Sequence, residues 1–169
     1  MRSFIACTIL VFCCLAIGCR GIAYKTPSMS MAPTITPDDM CITNPLAYSS
    51  SSIEGFDIVV FEGSEESKKL HDINGEVRYL RRVVGLPNEK IEIKNSQIFI
   101  NGNLLVEPHQ VISDEEDFPA VMIPNDEYFL LGDNRPESED SRFWKRPTIN
   151  KKNIYSKVVE IKKDFYRNN

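Results

Sequence analysis

Beyond Lys25 the apolar residues fall in short runs broken by turn formers, and no long window repeats them at the spacing of a helix face. A body of this kind is predicted to be mostly β. Asp57-Ile58-Val59-Val60-Phe61 reads as a buried strand, and residues 91–94 and 97–100 alternate about Asn95-Ser96 as a hairpin with a two-residue turn. Asn101-Gly102 marks another turn, residues 127–131 a strand leading into Gly132, and residues 154–161 a late strand. The serines 49–52, the polar stretch 63–69 and the acidic run Asp114-Glu115-Glu116-Asp117 are expected as solvated loops.

The N-terminus is of a different kind. Residues 3–18 are uncharged and nearly all apolar, with Arg2 before them and Arg20 after. As a helix they would reach about 24 Å, a little short of the roughly 30 Å hydrocarbon layer, so residues 1–20 are expected in or across a membrane. Leu15-Ala16-Ile17-Gly18-Cys19 also resembles a bacterial lipoprotein processing site, which would make Cys19 a lipidated N-terminus. Either reading puts the body, one compact domain over residues 25–165, outside the cytoplasmic membrane. Four of the five cysteines lie in residues 1–20, which leaves Cys41 alone in the body and no disulfide framework there. A net charge of −4 gives no basic stripe of the kind that neutralises phosphates, so nucleic acid is not an expected partner.

Two segments are too polar and too particular for packing filler: Pro27-Ser28-Met29-Ser30-Met31-Ala32-Pro33-Thr34 and the run from Gly132-Asp133-Asn134-Arg135-Pro136-Glu137-Ser138 through Glu139-Asp140-Ser141-Arg142. A serine hydroxyl attacks a peptide carbonyl only if a base takes its proton. His71 and His109 are the two histidines, and neither sits in a Ser-His or metal-binding context. Both are expected to be structural or at the surface, with no metal and no cofactor.

Together with Tyr79-Leu80-Arg81-Arg82-Val83-Val84-Gly85-Leu86-Pro87, these segments make the chain resemble the type I signal peptidases, serine endopeptidases that use a Ser-Lys pair. The resemblance runs from about Lys25 to Ile161. It implies a signal-peptidase-like β-barrel catalytic domain behind an N-terminal apolar membrane segment, with a cleft that takes an extended peptide by strand-like pairing. By the same resemblance Ser30 is the nucleophile, Ser28 helps to form the oxyanion hole, Ser138 orients the base, and Asp140 with Arg142 forms a supporting ion pair. The base position falls on Arg81, where the family has lysine, and a guanidinium stays protonated at working pH. Lys68, Lys69 and Lys90 are the other amines considered, in polar surroundings that keep them solvated. Lys145 and Ser156 stand where the family usually has glycine.

Two functions stay open. One is a membrane-bound endopeptidase that removes signal peptides from exported preproteins at the bilayer surface, cutting after small residues. The other is a peptide-binding relative without the chemistry, a lipoprotein in one version, working beside a second, active signal peptidase. A self-cleaving regulator sharing the catalytic fold would need a DNA-binding N-terminal domain, and an apolar segment stands in its place.

Overall fold

The computed structural model describes residues 21–63 and 78–168. The expected anchor at residues 1–20, with Cys19, lies outside them, as do Lys68, Lys69 and His71. Among the described residues no helix is long and apolar enough to cross a membrane.

Eleven strands carry the fold: β1 Ile22–Lys25, β2 Met40–Asn44, β3 Ile58–Glu62, β4 Arg78–Gly85, β5 Lys90–Lys94, β6 Gln97–Ile100, β7 Asn103–Leu104, β8 Phe118–Met122, β9 Glu127–Leu131, β10 Ile149–Asn150 and β11 Ile154–Lys162. They form a seven-stranded sheet in the order β1-β2-β11-β3-β4-β9-β10 and a four-stranded sheet in the order β7-β6-β5-β8. The predicted strands at 57–61, 91–94, 97–100, 127–131 and 154–161 are all present, to within a residue or two at their ends. Among the described residues the larger ladder ends at β1 on one side and β10 on the other, with no pairing between them. Among the described residues its pairing is thus an open ladder of seven strands.

The hairpin between β5 and β6 turns where the sequence places it. Asn95 and Ser96 both have positive φ, 50° and 61°, as a two-residue turn matching the right-handed strand twist requires. On β5 the pattern is equally legible: Ile91 and Ile93 are buried and Lys90 and Lys94 exposed. Strand β11 pairs with β2 at one end and β3 at the other, with register shifts in both ladders. Each shift places an unpaired residue that bends the strand, so one continuous strand joins the N-terminal pair to the centre of the sheet.

Three apolar clusters fill the body. One, around Val59, Phe61, Val83 and Leu130, lies on one side of β3 and β4. A second, around Met31, Ile35, Cys41, Val60 and Leu80, lies on the other. Met31 and Ile35 belong to the turn that follows Ser30, and both are fully buried. Their burial, worth about 2–3 kcal/mol each, fixes that turn against the sheet. The third cluster, around Ile91, Ile123, Phe129 and Leu131, joins the smaller sheet to β9.

Two buried carboxylates hold the serine segment from either side. Asp133 takes a two-pronged contact from Arg82, Nε to Oδ1 at 2.8 Å and Nη2 to Oδ2 at 2.6 Å, and also accepts from the Thr34 hydroxyl. Asp39 accepts from the Thr36 backbone N–H at 2.7 Å, from Lys163 Nζ at 2.9 Å and from the Asp164 backbone N–H at 2.9 Å. The same Lys163 ammonium donates to the Pro33 and Thr34 carbonyls, so the turn after β11 grips the serine segment directly.

Asp133→Ala leaves the Arg82 guanidinium buried without its carboxylate. The expected loss is about 3–5 kcal/mol of stability, measured by urea denaturation. Burial alone would raise the Asp39 pKa, but the Lys163, Thr36 and Asp164 donors outweigh it and bring it down to about 2. A depressed carboxyl stabilises the fold above its unfolded pKa, near 3.9, and loses that contribution as pH falls through its folded value. Thermal unfolding should thus show a loss on the order of 1–2 kcal/mol between about pH 4 and pH 2 that is missing in Asp39→Asn.

Candidate active site

The serine segment, β4 and the loop after β9 meet at one corner. β4 pairs with β3 in a register that sets Arg81 opposite Val59 and Arg82 opposite Ile58. Successive strand residues point to opposite faces, so the two arginines part company. Arg82 goes to Asp133, and Arg81 goes to Ser30.

Arg81 Nη1 donates to Ser30 Oγ at 2.8 Å and to the Leu80 carbonyl at 2.6 Å, while Nη2 donates to the Glu139 carbonyl at 2.9 Å. Ser28 Oγ lies 3.0 Å from Ser30 Oγ. Ser30 and Arg81 are buried, at 2% and 5% exposure, and Ser28 is exposed on the side of the cleft. The cleft has a volume of about 330 Å³, and Ser28, Ser30 and Arg81 share its lining with Tyr24, Thr26 and Leu80.

The loop after β9 straps the serine segment in place. Its Asn134 donates from the backbone to the Ser30 carbonyl at 3.0 Å and from the side chain to the Met29 carbonyl at 3.1 Å. Gly132 is where the approach is closest. A Cβ there would lie 2.5 Å from the Ser30 carbonyl oxygen and would strike the Ser138 hydroxyl. Asp140 is fully buried, accepts the Gly132 N–H at 3.1 Å and pairs with Arg142 through Nε at 2.8 Å and Nη2 at 3.0 Å. Arg142 also reaches Asp114 at 2.6 Å. Burial works against its charge, yet the Asp140 and Asp114 carboxylates prevail and hold its pKa above the ordinary value. Asp114 is thereby drawn out of the acidic run that was expected to be wholly solvated, because Arg142 needs a second carboxylate.

The six residues singled out from sequence thus converge, with one difference in detail. Ser138 is buried but makes no hydrogen bond to Arg81, and its Oγ has no partner. The planar guanidinium reaches past it to the Glu139 carbonyl. Neither histidine nor lysine substitutes for the missing amine among the described residues. His109 lies beyond the Asp133 carboxylate, with Nε2 3.3 Å from Glu107 and 3.5 Å from Asp133 and its ring edge-on to Phe56. Lys90 lines a separate hollow beside Phe99 and Met122. Lys25, which the sequence reading passed over, lines the cleft with its ammonium 4.3 Å above the Tyr166 ring. The hydrogen-bond partners of Ser30 Oγ are Ser28 and Arg81.

Chemically, the corner is a hydroxyl pair beside a fixed positive charge. The guanidinium stabilises negative charge that develops on or near Ser30 Oγ, but it occupies that oxygen as a donor and has no lone pair with which to take its proton. Burial lowers the Arg81 pKa from its ordinary value, against the opposing pull of Asp140 and Glu139. Arg82, Asn134 and Gly132 are the positioning residues that sequence reasoning gave no role; a Gly-Asp-Asn turn after a buried strand was the available signal.

Known proteins resemble this chain over most of its length. The family model described as signal peptidase, peptidase S26, matches residues 1–162. The chain is similar to the probable signal peptidase I-2 of Synechocystis sp., 32% identical over 135 residues, or 77% of this chain and 60% of the relative. It is 33% identical over 129 residues to signal peptidase I P of Bacillus subtilis subsp. natto, covering 70% and 64% of the two chains. It is 31% identical over 148 residues to signal peptidase I of Leptolyngbya laminosa, covering 86% and 71%. A crystal structure of a signal peptidase I from Enterococcus faecalis aligns with a TM-score of 0.49 and 25% identity over 64% of this chain and 98% of that one. The chain thus spans 60 to 64% of the length of the first two relatives. With its three segments in order and their residues gathered at one corner, the chain belongs to the signal peptidase family, peptidase S26.

Proposed function

We propose that this protein acts on the signal peptides of exported preproteins, as a signal peptidase I-type serine endopeptidase with Ser30 as its nucleophile. The observation that carries the reading is the meeting of Ser28, Ser30 and the residue in the base position at the end of one open cleft. The cleft runs between residues 24–28 and residues 78–81, two stretches of extended or strand-edge backbone suited to pairing with an extended peptide. Ser28 adds its hydroxyl to the oxyanion site, Ser138 stands by the base position, and Asp140 with Arg142 braces the loop that carries it. The seven-stranded sheet serves as the barrel-like core. Residues 1–20 hold the domain on the outer side of a bacterial cytoplasmic membrane, as an uncleaved anchor or through a lipid on Cys19.

A second reading has its own observation, the 2.8 Å bond from Arg81 to the Ser30 oxygen. A site with its nucleophile held by a permanent cation binds the cleavage region of a signal peptide and turns it over slowly or not at all. In that case the protein assists a second, active peptidase at the same membrane surface.

One comparison separates the two. General-base assistance is worth about 10²–10⁴ in rate. Incubated with a preprotein in detergent or liposomes, the Arg81→Lys variant should cleave at least about 100-fold faster than the unaltered protein. Adding Ser30→Ala should abolish that cleavage. Detectable Ser30-dependent turnover by the unaltered protein decides for the first reading and its absence for the second. No cleavage by Arg81→Lys would overturn the peptidase assignment.

A further inference from the structure

A cation in a protein interior is costly unless a carboxylate or a full set of hydrogen bonds offsets it. The other buried arginines obey this. Arg82 is paired with Asp133, Arg135 with Glu107, and Arg142 with Asp140 and Asp114. Arg81 is as buried as they are, yet among the described residues no carboxylate lies within ion-pair distance of it. Its acceptors are neutral: one hydroxyl and two carbonyls. Its Nε has no acceptor at all.

The unpaired charge lies at the wall of the cleft, so a compensating anion has a way in. Beside it stand two further donors. Ser30 Oγ already accepts from Arg81, which frees its own proton for Ser28 or for a bound oxygen, and Ser28 is exposed on the cleft side. Lys25 and Arg78 add positive charge to the lining, and Glu137 and Glu139 offset part of it. Two acidic neighbours disfavour a highly charged anion such as phosphate. A single carboxylate, able to take a guanidinium N–H and a hydroxyl at once, fits better.

We infer that the Arg81, Ser30 and Ser28 corner is a receptor for the C-terminal carboxylate of an extended peptide. The inference rests on the reading of the cleft as a site for signal peptides and adds which end, and which form, it takes. Cleavage of a preprotein creates such a terminus: the amide bond breaks, water supplies the oxygen, and the released signal peptide ends in a small residue bearing a carboxylate. The site holds the cut signal peptide in preference to the intact one. A neutral amine in place of Arg81 would give no such preference, so the substitution that removes the base also creates the receptor.

The test uses a fluorescent signal-peptide fragment ending in Ala-Gln-Ala, made as the free acid and as the C-terminal amide, with binding read by anisotropy at neutral pH. The acid should bind about tenfold or more tightly than the amide. The ratio of acid to amide affinity should shrink in Arg81→Gln. Acetate at millimolar concentration should compete with the acid alone. Equal affinity of acid and amide for the unaltered protein would overturn the carboxylate receptor and leave the peptide cleft standing. Failure of both peptides to bind would overturn the two together. Because the decisive comparison is made on the unaltered protein, it does not depend on the folding of any variant.

Discussion

The Arg82 to Asp133 contact is the joint on which the corner depends. It ties the centre of the sheet to the loop after β9, and through Thr34 it reaches the turn behind Ser30 as well. Three stretches far apart in sequence are thus fixed by one carboxylate. Such a joint is stiff because each of its partners is directional: the guanidinium fork accepts one orientation of the carboxylate, and the threonine hydroxyl takes what remains. Without it, the fully buried Met31 and Ile35 would still pack the serine turn on the sheet, and the two Asn134 hydrogen bonds alone would hold it to the Gly132 loop.

The corner combines this rigidity with a chemical mismatch. Everything that positions a nucleophile is present: a buried hydroxyl, a neighbouring hydroxyl, a strapped carbonyl and an ion pair behind the loop. With Ser30 as the proposed nucleophile, the group beside it is a donor where the reaction asks for an acceptor. That contrast sets this chain apart from a degraded relative in which the scaffold has also loosened. Here Asp140, Asn134 and Gly132 still make the contacts that hold the serine segment to the loop.

Much of this was legible before any coordinates. The strands at 58–62, 90–94, 97–100 and 127–131 follow from short apolar runs and alternation, and the turn at Asn95-Ser96 from its residues alone. Ser28, Ser30, Arg81, Ser138, Asp140 and Arg142 were all chosen on their motifs, and all come to one corner. What sequence could not give was pairing between distant charges. The partnership of Arg135 with Glu107 joins residues 28 apart and that of Arg82 with Asp133 residues 51 apart, with no local pattern to announce either. Short edge strands were missed for a related reason. β1, β7 and β10 are made by their neighbours' hydrogen bonds more than by their own residues, two of which in β7 are exposed. The barrel-like core was an expectation by likeness, and among the described residues the ladder runs from β1 to β10.

The side-by-side placement of Arg81 and Arg82 on β4 has a consequence for assembly. Slipping a strand by one residue sends each side chain to the opposite face. When the two positions carry different groups, such an error strands the wrong chemistry on each side and is penalised. With identical side chains, a slipped β4 would still put a guanidinium at one of the two positions, with Leu80 or Val83 brought to the other. Discrimination against that error falls instead on the hydrocarbon neighbours, Leu80 toward one cluster and Val83 toward the other.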